Sequence, residues 1–147
     1  MPMPTKDFVA AASQSDQFEI QGARVAAAQS KNAQVRAFAQ QMIQDHMRAN
    51  EALEQAAMKS GISPPPKGID PDQAKLLSAL QSLSGSDFDK TYAKQQVLAH
   101  QQALAVQQNY ASAGSDPNVR QAASSAVPLI QHHLEMAQQM RNMVGTS

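Results

Sequence analysis

The chain has no cysteine and no tryptophan. Without thiols, a disulfide framework and a thiolate metal site are both excluded, although compartment is not fixed by this. Aromatic residues make up only 4% of the sequence, and β-branched residues are scarce, which argues against sheet. Charge of one sign is also lacking. Twelve Lys and Arg balance twelve Asp and Glu, so no strong field draws nucleic acid or anionic lipid. No run of 18 or more apolar residues occurs, so no membrane span is expected. The start, Met1-Pro2-Met3-Pro4-Thr5-Lys6, lacks the apolar stretch of a secretory signal, as would a mature segment behind a new initiator Met. What is abundant is 26 Ala and 21 Gln, against six Gly. Both are good helix formers, so an all-α protein is expected. The 147 residues fit one soluble domain, 1–147, with a core of adequate size.

The helix punctuation is clear. A first helix is expected over 6–29, with Thr5 or Asp7 serving its N-terminus. Ser30-Lys31-Asn32 forms a short turn, and Asn32 caps a second helix over 33–60 that stops at Gly61. Pro64-Pro65-Pro66 is a stiff, non-helical stretch. Asp70-Pro71 opens a short helix over 71–83, which Gly85 ends. A third long helix spans 86–113, with Ser86 and Asp89 spaced as a capping box, and Gly114 closes it. Asp116-Pro117 caps a fourth over 117–144. Short turns make the first and second helices antiparallel, and likewise the third and fourth. The expected fold is an antiparallel four-helix bundle with a short extra helix in its connector. Crossing the length of the bundle would make it ferritin-like; folding over one end would give simple up-down order.

Each long helix carries a seam of small or apolar residues interrupted once by an ionisable one. In the second helix the seam is Val35, Ala39, Met42, His46, Ala49, Leu53 and Ala56, in steps of four and three that share a face. In the fourth it is Val119, Ala123, Ala126, Ile130, His133, Ala137 and Met140. In the third, Ala93, Val97, His100 and Leu104 form a stripe beside Ala103. In the first, Ala12, Ser15, Glu19, Gly22 and Ala26 share a face. His46 and His100 sit at helix midpoints, and Glu19 and His133 lie within three residues of theirs, at most about 4 Å along the axis. Midpoints of equal antiparallel helices stack in one layer. Glu19, His46, His100 and His133 are therefore expected at one level of the core. His132 is turned about 100° away from His133 and flanks the layer.

Two readings of that layer stand side by side. Three neutral imidazoles and a carboxylate suit a mononuclear site for one divalent transition metal, Zn, Cu or Fe. Glu19 either completes the ligand set or stands behind it, with Asp45, Asp16, Glu135 and His132 as outer partners or alternates. The other reading is a metal-free network in which Glu19 accepts hydrogen bonds from imidazoles; several buried polar groups are costly unless all are paired. Pro128 removes one backbone bond and bends the fourth helix. Six Met lie in the second and fourth helices: Met42, Met47, Met58, Met136, Met140 and Met143. They read as core fillers, with a thioether Cu(I) site as the alternative.

The pairs Phe18-Glu19 and Asp45-His46, the run Phe88-Asp89-Lys90-Thr91-Tyr92 leading to His100, and Val127-Pro128-Leu129 leading to His133 carry a family likeness. On these residues the chain resembles the bacterial domain-of-unknown-function family 4142, within the ferritin-like superfamily, from about Phe8 to Met140. The resemblance implies export, to the periplasm or outside, and members are often labelled outer membrane proteins. No alternating strands of a barrel occur here. It also invites comparison with di-iron oxidases, which use Glu-x-x-His on two helices. The residues three before the histidines are Ile43, Val97 and Ile130, so an oxidase is the lesser alternative to a non-enzymatic metal-binding or stress protein. A third class, a structural or partner-binding bundle, expects a metal-free core and an exposed apolar face at Ile69, Leu76, Leu77 and Leu80. Protein partners are not readable.

Overall fold

A computed structural model describes residues 3–65 and 67–145. Met1, Pro2 and the third proline of the connector, Pro66, lie outside the described residues. The chain is all-α. Its elements are α1 (Thr5–Gln29), α2 (Ala33–Lys59), α3 (Pro71–Gln81), α4 (Gly85–Ala113) and α5 (Pro117–Val144). No helix among the described residues is long and apolar enough to cross a membrane.

Caps explain most boundaries. The Asn32 side chain accepts from the backbone N–H groups of Gln34 and Val35 and starts α2. Asp70 and Gln73 form a reciprocal capping box at α3, with Pro71 in the first turn. The end of α2 turns through Gly61 at φ +69°; Ile62 N–H reaches the Ala57 carbonyl, and Gly61 N–H the Met58 carbonyl. After α4, Gly114 has ordinary extended angles, and glycine is needed there for another reason. The Tyr110 ring lies where a Cβ would be.

Two sequence expectations about caps fail, each because a side chain has a distant partner. Ser86 and Asp89 do not form a capping box. The helix begins earlier, at Gly85, which opens α4 instead of ending α3, and Asp89 Oδ1 accepts from the Ser30 hydroxyl at 2.6 Å. Neither Thr5 nor Asp7 caps α1; Pro4 holds the cap position, and the Thr5 hydroxyl bonds the Tyr110 hydroxyl instead. The connector does not present an open apolar face throughout: Leu80 is fully buried, Ile69 and Leu77 are half-buried, and Leu76 is exposed.

The same long-range bonds fix direction. Ser30, just past α1, meets Asp89 at the start of α4, while Thr5 at the start of α1 meets Tyr110 near the end of α4. α1 and α4 therefore run in opposite senses. Ser60, just past α2, donates to Asp116 at the start of α5 at 2.7 Å. α2 thus ends where α5 begins and far from where α4 begins, so the connector crosses from one end to the other. Its helix α3 packs on α1 and α4, while α1 also packs on α2, and α5 on both α4 and α2.

All six aromatic residues are buried, and all but Phe18 fall in two apolar clusters. One gathers Val35, Phe38, Met42, Leu80, Phe88, Tyr92, Val97 and Met140. The other gathers Phe8, Val9, Leu53, Tyr110, Val119 and Ala123, with Phe8 stacked on Tyr110 at 4.2 Å between ring centroids. Along α1, α2 and α5, the buried polar residues Asp16, Glu19, Asp45, His46 and His133 fall between the residues of the two clusters.

Asp116 holds two groups at once, the Ser60 hydroxyl and the Val119 N–H at 2.9 Å. The Ser60 bond first, then the backbone bond to Val119, lower its pKa from 3.8. Asp116→Ala should lower the unfolding free energy by about 1–2 kcal/mol, measured by urea denaturation. Because the folded-state value is depressed, this contribution is present above pH 3.8 and is lost as pH falls through the folded value. The gap between variant and parent should therefore close in acid.

Candidate metal centre

Three buried histidines come from three helices: His46 from α2, His100 from α4 and His133 from α5, at 4%, 1% and 0% exposure. Their ring centroids are 5.1 to 5.6 Å apart, nearly an equilateral triangle. Each has a carboxylate behind it. His46 Nδ1 donates to Asp16 Oδ1 at 2.9 Å. His133 Nε2 donates to Asp45 Oδ2 at 2.7 Å. His100 Nδ1 donates to the Gln96 carbonyl at 2.8 Å and lies 3.2 Å from Glu19 Oε2.

Adjacent residues on α2 serve two different rings. Asp45 faces α5 and holds His133, while His46 faces α1 and is held by Asp16. The step of about 100° between neighbours on a helix makes this possible. Two glutamines fix the carboxylates in turn. Gln41, one turn before Asp45, donates to both of its oxygens at 2.9 Å. Gln96 donates from its side chain to Glu19 Oε1 at 3.0 Å, while its own carbonyl takes the His100 proton.

These bonds decide what the rings can do. A neutral imidazole carries one N–H and one lone pair, and the nitrogen facing an acceptor takes the hydrogen. That leaves His46 Nε2, His100 Nε2 and His133 Nδ1, all buried and all without a hydrogen-bond partner. One nitrogen from each ring can be chosen so that all three lie within 4.8 Å of one another. Burial lowers His46 to about 4 against the opposing charge of Glu19, and lowers His133 to about 4 against its bond to Asp45. Both are neutral at pH 7, with lone pairs free. Burial raises Asp16 well above the usual carboxylate range. For Asp45 burial also raises the value, but hydrogen bonds from His133 and Gln41 outweigh it and the net shift is downward. Three imidazoles backed by oxygen acceptors are a donor set suited to Zn, Cu or Fe.

Of the residues singled out from sequence, His46, His100 and His133 are brought together. Glu19 is 2% exposed and meets His100 on Nδ1, the nitrogen turned away from the unpaired Nε2. Asp16 and Asp45 each hold a ring. His132 and Glu135 do not join them: both are exposed, because their positions on α5 turn outward when His133 faces the core. Gln41 and Gln96 escaped the sequence reading. The available signal was their place one turn before Asp45 and His100, which nothing distinguishes among 21 glutamines.

In the metal-free protein, His46 and His133 sit at about 4 folded and at 6.5 unfolded. A depressed histidine value means that the unfolded chain binds protons more readily. Stability should fall as pH drops from 6.5 to 4, because unfolding lets the two rings take up about two protons while Asp16, whose folded value burial raises, gives up at most one. Urea midpoints across this range measure it. A flat profile would contradict burial of neutral rings.

The sequence pattern of the family described as Domain of unknown function (DUF4142) matches residues 1–140. No curated protein matches. Among solved structures, the fold is similar to a DUF305 fragment from Deinococcus radiodurans, at TM-score 0.82 and 18% identity over 97% of this chain and 99% of that one. It is also similar to CopM in its Cu(II)-bound form, at TM-score 0.80 and 17% identity over 97% and 98%. CopM in its Cu(I)-bound form gives 0.78 and 18% over 97% and 99%. At such identities the likeness is one of fold, whereas the family match spans nearly the whole sequence: the chain belongs to the DUF4142 family.

Proposed function

We propose that this protein binds a single transition-metal ion through His46 Nε2, His100 Nε2 and His133 Nδ1. The observation that carries the reading is the set of three buried, unpartnered nitrogens on rings whose other nitrogens are all engaged. Orphaned polar atoms in a core are costly, and an ion at their focus would satisfy all three at once. Asp16, Asp45 and Glu19 act from behind the rings, setting the tautomer and raising ligand basicity. With three protein ligands, such an ion would have room for water or a small ligand.

Copper is the first candidate, followed by zinc and iron. Its support is the likeness in fold to CopM, which is known in Cu(II)-bound and Cu(I)-bound forms. We read the four long helices as one ferritin-like antiparallel bundle, since the connector runs end to end between two hairpins. We place the protein outside the cytoplasm, on the family resemblance, with a role in metal handling or stress. Oxidase chemistry is disfavoured by Ile43, Val97 and Ile130 where di-iron enzymes carry glutamate. A metal-free network is the second reading. The bonds from all three rings favour it, but it leaves one nitrogen on each ring unsatisfied.

Protein purified without tag or chelator should take up one Cu²⁺ per chain, counted by mass spectrometry after dialysis. His100→Ala should bind none, and His132→Ala should bind as the parent does. Asp45→Ala should retain the site but weaken it by about 10–100-fold. A parent that takes up no Cu²⁺, Zn²⁺ or Fe²⁺ would leave the metal-free network standing.

A further inference from the structure

The three carboxylates behind the rings are not equally sealed. The Glu19 side chain is 2% exposed, whereas those of Asp16 and Asp45 are 12% and 11% exposed. Both of the latter border one groove of about 280 Å³, which Arg48, Ala49, Leu53 and Ala126 also line. At its inner side Asp16 holds His46 at 2.9 Å and Asp45 holds His133 at 2.7 Å. The two other grooves described do not reach these carboxylates. One, of about 320 Å³, runs along α1 and α4 past Leu98 and Ala99. The other, of about 440 Å³, lies beside Met136, Met140 and Met143 and reaches only Gln41.

On the reading of the centre given above, we propose that the Asp16–Asp45 groove is the path by which the metal ion reaches and leaves the three imidazoles. A hydrated cation cannot cross an apolar seam bare, because each water it sheds must be replaced by another donor. Asp16 and Asp45 supply carboxyl oxygens at the mouth, one hydrogen bond away from the ligands. Here the wall is also built from small side chains, Ala49 and Ala126, so little has to move. His100 and Glu19 lie on the closed side, which makes His46 and His133 the first rings met by an incoming ion. Among the described residues, Arg48 is the one cation bordering the groove, and it opposes the ion's approach.

Stopped-flow absorbance with aqueous Cu²⁺ separates path from site. Ala126→Leu narrows the groove without touching a ligand. It should slow association and dissociation together by about tenfold, since binding then needs a structural opening, and leave stoichiometry and affinity as in the parent. Ala99→Leu, placed in the groove along α1 and α4, should bind at the parent's rate. Arg48→Glu should raise the association rate several-fold at low salt and lose that gain at high salt, and it serves if Ala126→Leu fails to fold. Parent-like rates in both Ala126→Leu and Arg48→Glu, with one ion still bound, would overturn the path while leaving the site intact. Absence of uptake by the parent would overturn both.

Discussion

The structure turns on the pairing of each buried imidazole with a buried acceptor. Ionised or polar groups in an apolar core cost several kcal/mol each unless they are paired. Here the two apolar clusters are separated by a layer holding three histidines, three carboxylates and a glutamine. The arrangement is tolerable because Asp16 meets His46, Asp45 meets His133, and the Gln96 carbonyl with Glu19 meets His100. The pairing has a second effect. By engaging one nitrogen of each ring, it leaves the other three buried without a hydrogen-bond partner. Stability and chemistry are thus two results of one set of bonds.

The all-α class followed from composition alone, because Ala and Gln leave little choice. Caps that act within four residues, Asn32, Asp70 and Asp116, were also legible. Those that failed, Ser86 with Asp89 and Thr5, involve side chains drawn to Ser30 and Tyr110, far away in sequence. No local pattern could have foretold that. The convergence of His46, His100 and His133 could be anticipated because seam and midpoint together fix both direction and height. The partner of each ring could not. Which way Glu19 points, and that Gln96 clasps it, depend on side-chain geometry to which helical periodicity is blind. Direction of the connector was equally hidden, since its length permits either course.

The family match covers residues 1–140, and the three solved structures of similar fold align with this chain nearly end to end. At 17–18% identity they speak to backbone and not to side chains. The local chemistry of this chain must therefore rest on its own residues, and the unpartnered ring nitrogens are the most telling of them.

The end-to-end connector has a consequence for how the molecule assembles. It makes α1 and α2 one local unit and α4 and α5 another, each able to form from neighbouring contacts. Two of the three ring–carboxylate pairs span those units, joining residues as distant as Asp45 and His133, 88 positions apart. Such contacts form late, after the entropy of closing a long loop has been overcome. The centre therefore comes into being only when the two halves dock, and neither half holds it alone. An ion held there would act as a clasp between two hairpins, resisting their separation more than the fraying of any single helix.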